Sequence, residues 1–104
     1  MAGDDQQAEW HYRLGKLLAS HGNRGAALPE LEKAVTLAER PDEPTHVWLF
    51  DAHFLLAEAL RGSLANKARA IEHYQRFIEL APHDNAYVPE AEKALAALGA
   101  PANR

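Results

Sequence analysis

A pattern that occurs twice constrains this chain more than any other feature. His11, Leu14, Gly15 and Leu18 return as His53, Leu56, Ala57 and Leu60, each 42 residues later. Asn23, Ala27, Leu31 and Ala34 return as Asn66, Ala70, Tyr74 and Phe77, each 43 later. Within each copy the spacing is that of one face of an α-helix. A pair of helices therefore recurs in register, and the one-residue difference falls in the turn between Gly62 and Ala65. An unrelated five-helix bundle would account for the helicity but not for the matched register.

The most apolar stretch lies in the second copy, VWLFDAHFLLAEAL at 47–60. It holds no Gly or Pro, and Ala and Leu dominate its second half, which favours helix. Asp51 and Glu58, its only charged residues, share one narrow stripe. A helix apolar nearly all round is buried on several sides, so other helices must flank it.

Local signals place five helices near 5–21, 25–40, 45–61, 67–80 and 85–98. Asp4 or Asp5 suits the first N-cap, where a negative charge meets the positive helix end. Gly22 suits a left-handed stop, and Asn23 follows at once as a cap for the second helix. Pro29 conflicts with the second helix, because proline in a helix interior costs about 3 kcal/mol; an irregular start is expected there, with Gly25 as the alternative cap. PDEPT at 41–45 breaks the chain, and Pro44 suits the first turn of the third helix. Gly62 ends that helix and Asn66 caps the fourth. Pro82 follows the fourth, Asp84 or Asn85 caps the fifth, and Gly99 ends it. No segment alternates with a period of two, so the fold class is all-α, with residues 1–4 and 99–104 expected as flexible tails.

At 104 residues and 47% hydrophobic, the chain suits one domain with a modest core. Eleven basic against fifteen acidic residues give a net charge of −4, which opposes a helical nucleic-acid binder. There is no Cys, so thiolate chemistry and disulfides are excluded. The first residues lack the basic start and apolar stretch of a leader, and no apolar run is long enough to span a bilayer. A cytoplasmic protein without a membrane partner is expected.

Catalytic signatures are missing. None of the six histidines forms an HxxxH or HExxH pair, and GNRGAAL lacks the Lys and Ser/Thr of a phosphate loop. His46 and His53 lie seven apart but have no third ligand beside them. Asp51 and Glu58 read as a solvated stripe rather than an acid/base pair, since seven residues span about 10.5 Å along a helix. No enzyme, metal or cofactor is expected.

The repeated pair resembles the tetratricopeptide repeat, a helix-turn-helix unit of about 34 residues with Trp, Leu-Gly and Tyr on its first helix and Ala, Phe and Pro on its second. Leu14-Gly15 and Leu56-Ala57 match the Leu-Gly pair, Ala27 and Ala70 the Ala, Tyr74 the Phe position, and Pro82 the Pro. His11 and His53 stand where the family often has Trp. The resemblance implies antiparallel hairpins in a right-handed superhelical array over 5–98: repeat 1 at 5–40, repeat 2 at 44–82 and a capping helix at 84–98. The longer period is read as a connector plus a lengthened third helix, whose Trp48–Phe50 end overhangs.

The resemblance also implies a function, a non-catalytic module that binds a protein or peptide segment in a concave groove lined by the first helix of each unit. Tyr12, Arg13 and Lys16 would supply one wall. Asp51, Phe54, Leu55, Glu58 and Arg61 would supply the other. The acidic pair Asp51 and Glu58 stands where a clamp for a C-terminal carboxylate needs amides or cations. A ligand with an apolar anchor and one or two Lys or Arg is therefore expected. The alternative is a self-associating protein, a homodimer paired through Trp48 and Phe50.

Overall fold

The structure is a computed structural model that describes the backbone of residues 2–100 and the side chains of 7–100. Five α-helices follow one another: α1 (Ala2–Ser20), α2 (Arg24–Ala38), α3 (Leu49–Leu60), α4 (Lys67–Leu80) and α5 (Val88–Ala97). A single 3-10 turn at Leu64–Asn66 precedes α4, and there is no strand among the described residues. α1 packs on α2 and α3 on α4 as two hairpins; α2 joins the hairpins by packing on α3, and α5 closes the far side on α4.

Tight turns make the hairpins. At the end of α1, Gly22 sits at φ +79°, the left-handed region where a side chain is strained. Its N–H donates to the Ala19 carbonyl at 3.0 Å, and the Asn23 N–H donates to that of Leu18 at 2.9 Å. These two bonds are a Schellman stop. Asn23 then caps α2, its side-chain oxygen accepting from the Ala26 N–H at 3.3 Å. The cap is therefore Asn23 and not Gly25, and Pro29 lies inside a continuous helix. Pro29 is exposed, so the carbonyl it leaves unbonded, that of Gly25, can be solvated. After α4, Ala81 is extended at ψ 147°, as the residue before Pro82 must be.

Three expected boundaries are corrected. The third helix begins at Leu49, not at 45, and it is the connector 39–48 that lengthens the repeat. Trp48 occupies the N-cap position, and Pro44 lies in irregular chain rather than in a first turn. The fifth helix begins at Val88 because the Asn85 side chain accepts the Tyr87 N–H at 2.9 Å in a local turn; Pro89 then enters the first turn of α5. At the N-terminus α1 starts at Ala2, so Asp4 and Asp5 lie within it rather than capping it. Residues 101–104 of the expected C-terminal tail lie outside the described residues, as does Met1.

The core runs through both hairpins. Leu31, Leu56, Leu60, Tyr74, Phe77, Ile78 and Leu95 are among its largest fully buried side chains. Ala27, Ala34, Ala52, Ala57, Ala70 and Ala91 are also fully buried, and small side chains of this kind allow helices to approach closely. Gly15 is the tightest point. A Cβ there would stand 2.6 Å from Leu31 Cγ and 3.3 Å from the Leu31 backbone nitrogen.

Gly15→Ala should therefore destabilise the chain by about 1–2 kcal/mol through overpacking, although alanine is the better helix former by roughly 1 kcal/mol. Gly25→Ala, where a Cβ meets nothing within 4 Å, should stabilise by roughly 0.5–1 kcal/mol. Urea unfolding of the two variants beside the parent measures both signs.

Candidate interaction groove

α1 and α3 lie side by side, and their facing stripes carry the groove. One cluster pins them together. Tyr12 on α1 donates its hydroxyl hydrogen to Asp51 Oδ2 on α3 at 2.5 Å. Lys16, one turn further along α1, places Nζ 3.2 Å from the same oxygen and donates to the Tyr12 hydroxyl at 3.3 Å. Burial, then the bond to Asp51, pushes the Tyr12 phenol up to about 12, so it stays protonated and keeps donating. Asp51 also lies in the first turn of α3, where a carboxylate complements the positive helix end.

The Tyr12 ring stacks on Trp48, centroids 4.8 Å apart and planes within 12°, and Trp48 stacks in turn on His46 at 5.0 Å. Trp48 is 9% exposed. The ring is thus folded back onto α1. Phe50 is half-buried and packs beside Phe77, centroids 6.1 Å apart.

Further along α3, Glu58 accepts the hydroxyl of Tyr74 from α4 and lies 3.4 Å from Arg61 Nη1. The Arg61 guanidinium also donates to the Tyr74 hydroxyl at 3.4 Å. Burial, followed by the bond to Glu58, raises the Tyr74 phenol. Phe54 turns toward this side as well, with Phe77 and Tyr87 each 5.0 Å from its ring centroid.

Between the helices lies an open cavity of about 280 Å³ lined by Lys16, Ala19, Ser20, Arg24, Phe54, Leu55, Glu58 and Ala59. Of the residues named from sequence, Lys16, Phe54, Leu55 and Glu58 meet there. Tyr12 and Asp51 brace it from one end. Arg13 does not line it, being occupied on its own helix by Glu9 at 2.6 Å, and Arg61 stands outside it with Glu58 and Tyr74. Arg24 was missed. It belongs to the second helix, and only the tight turn at Gly22 carries that helix's first residue round to the α1 end of the cavity. Arg24 makes no ion pair among the described residues, whereas Asp51 and Glu58 are each held by a tyrosine and a cation. Among the described residues, Arg24 is thus the charged group lining the cavity that makes no ion pair.

On the side of α3 turned toward α2 and α4, the hairpins share a polar junction. His53, 2% exposed, places Nε2 3.0 Å from Glu39 Oε2 and Nδ1 2.8 Å from His73 Nδ1. A carboxylate only accepts, so His53 carries its proton on Nε2 and receives one from His73 Nδ1–H. Arg76 completes the set, 2.8 Å from Glu39 and 2.6 Å from Glu79. Burial pushes both histidines down, His73 to about 4 with the neighbouring His53 contributing. Burial alone would raise Glu39, but the bonds from Arg76 and His53 outweigh it and hold the carboxyl below its usual range. No group of three or more His, Asp or Glu among the described residues is arranged to hold a metal ion.

Stacked helical hairpins with register-matched small residues define a class, the helical repeat proteins, and the comparison with known families agrees. The tetratricopeptide repeat matches twice, over residues 8–41 and 50–84. The chain belongs to the tetratricopeptide repeat family. The two matches are each of ordinary unit length, and residues 42–49 lie between them. Among curated proteins, Tonsoku-like protein of Bos taurus is 33% identical over 94 residues, which is 90% of this chain and 7% of that protein. No solved structure matches the chain. No helix among the described residues is long and apolar enough to cross a membrane.

The junction predicts an acid-sensitive fold. The histidines have folded pKa values below the ordinary 6.5, so the unfolded chain binds protons first as pH falls. Stability is full above that value and is lost as pH drops toward 4, and Glu39 extends the loss below 4.5. Urea midpoints measured from about pH 7 to about pH 4.5 should fall steadily, and His73→Gln should flatten the slope. An unchanged slope in that variant would clear His73 of the effect.

Proposed function

We propose that the chain is a non-catalytic interaction module that seats an extended segment of a partner protein in the groove between α1 and α3. Membership of the tetratricopeptide repeat family supports protein binding in general terms. The observation that carries the finer reading is the composition of the cavity: apolar Ala19, Leu55, Ala59 and Phe54 together with Arg24, which makes no ion pair among the described residues.

The fitting ligand has an apolar side chain for the strip and an acidic residue, spaced to reach Arg24, for charge. Tyr12, Lys16 and Asp51 hold the two walls in place and leave few charges to neutralise. Phe54 supports the aromatic cluster with Tyr74, Phe77 and Tyr87 as well as facing the cavity, so its truncation would report on stability and binding together. Leu55 and Arg24 separate the two effects better.

An array of immobilised peptides in which an apolar residue and an acidic residue are varied in spacing tests this directly. Bound peptides should share that pair. Leu55→Arg should weaken binding by ~2 kcal/mol or more, as loss of a central apolar contact does. Arg24→Glu should reduce on-rate and reverse the salt dependence, and Lys93→Ala on the exposed face of α5 should change neither. Equal affinities for the Leu55 variant and the parent, with helicity intact, would remove this groove from the function.

A further inference from the structure

The cavity between α1 and α3 has its charges sorted by wall. Lys16 on α1 and Arg24 at the start of α2 stand on one side, and Glu58 on α3 stands on the other. Phe54, which also lines the cavity, precedes Glu58 by four residues on α3. Ring and carboxylate are therefore neighbours on one helical face, with about 5–6 Å between their Cβ atoms.

Glu58 is held, but by one oxygen only. Tyr74 donates its hydroxyl hydrogen to Oε2, and Arg61 Nη1 lies 3.4 Å from the same atom. Oε1 accepts no hydrogen bond among the described residues. A carboxylate offers roughly four lone-pair sites, so the second oxygen has capacity for a further donor. Arg61 does not fill it. At 3.4 Å its contact is long for a charge-assisted bond. Its guanidinium is shared with the Tyr74 hydroxyl, and it stands outside the cavity that Glu58 lines.

The ring beside Glu58 is fixed in place. Phe54 packs on Phe77 and Tyr87, each 5.0 Å between centroids, and edge-on to Tyr74 at 6.1 Å. Tyr87 is 53% exposed, so an aromatic surface continues from Phe54 to the start of α5. An aromatic surface beside an open carboxylate oxygen matches a guanidinium, which is planar and weakly hydrated, stacks on rings and pairs with carboxylates.

We propose that Glu58 and Phe54 form a subsite for an arginine of the docked segment, on the wall opposite its acidic residue at Arg24. The subsite rests on the groove proposed above and sets the order of charges in its ligand. In an extended segment successive side chains point to opposite sides. The acidic residue faces the wall of α1 and α2, and the arginine faces α3, so the two are an odd number of positions apart. The apolar residue that meets Leu55, on the same helix as Glu58, shares the arginine's side.

Short fluorescent peptides carrying one Leu, one Glu and one Arg provide the probe. The separation of Glu from Arg is odd in one series and even in another. In a twin of each peptide citrulline, which keeps the shape and lacks the charge, replaces Arg. Anisotropy titrations use the full chain and its Glu58→Gln variant, whose amide oxygen still accepts from Tyr74. The odd-spaced Arg peptide should bind the parent about tenfold more tightly than its citrulline twin, the value of a charge-assisted hydrogen bond. Glu58→Gln should abolish that difference and leave the citrulline peptide unchanged. Even spacing should lose the Arg advantage. Glu90→Gln, on the exposed side of α5, should alter none of these ratios.

Equal binding of Arg and citrulline peptides, an Arg preference that survives Glu58→Gln, or the same preference at odd and even spacing would overturn the subsite. The groove itself would stand in those cases, since its own sign is sensitivity to Leu55→Arg. Binding by no peptide, or binding that Leu55→Arg leaves intact, would remove groove and subsite together.

Discussion

Glu39 is where two hairpins become one structure. Each hairpin alone is a helical pair with one bare face, and helical repeats ordinarily need about three stacked units to bury enough of it. In this chain α2 lays its apolar stripe on α3, and the residue that caps its C-terminus delivers one carboxylate to a buried imidazole and a guanidinium. A buried polar ring is tolerable only when hydrogen-bonded, and His53 is the buried member of this set. Glu39 has both partners, and His53 is satisfied at both ring nitrogens. Arg69, which reaches from α4 to Glu32 on α2, adds a second tie across the same seam. The apolar contacts supply the drive to stack, while the polar groups admit a single register.

The connector between the hairpins has its own physical account. Residues 42–49 fall between two units of ordinary length, so the insertion leaves the internal geometry of each unit alone. Its far end is anchored by Trp48, whose ring lies flat on Tyr12. A flexible loop of this size would otherwise add closure entropy; instead the stack fixes the loop to α1 and positions the start of α3.

Much of the fold was legible because it rests on local signals that repeat. α4 runs from Lys67 to Leu80 as its spacing indicates, and Gly22 and Gly99 end their helices at positive φ. The starts of α3 and α5 were not legible. In VWLF the apolar run suits a helix, but the indole of Trp48 is worth more against Tyr12 than one more turn is to α3, and propensity contains no term for a distant ring. At α5 the Asn85 side chain competes for a backbone donor, and Pro89 was the available clue to a later start. For the groove, residues on one helix were readable from spacing, so Lys16, Phe54, Leu55 and Glu58 came out together. Pairing between helices was not: Asp51 and Glu58 looked like free charges until Tyr12 and Tyr74 were seen to hold them.

The Tyr12–Asp51–Lys16 cluster has a consequence for association. Because it locks α1 to α3 in the free protein, the width of the cavity is set before any ligand arrives. On the proposed function, the chain would then lose little conformational entropy on binding, and the ordering cost would fall on the segment that docks. A wall held in this way also resists adjusting to a wider side chain, so on that reading discrimination among ligands would come from steric exclusion as much as from attraction.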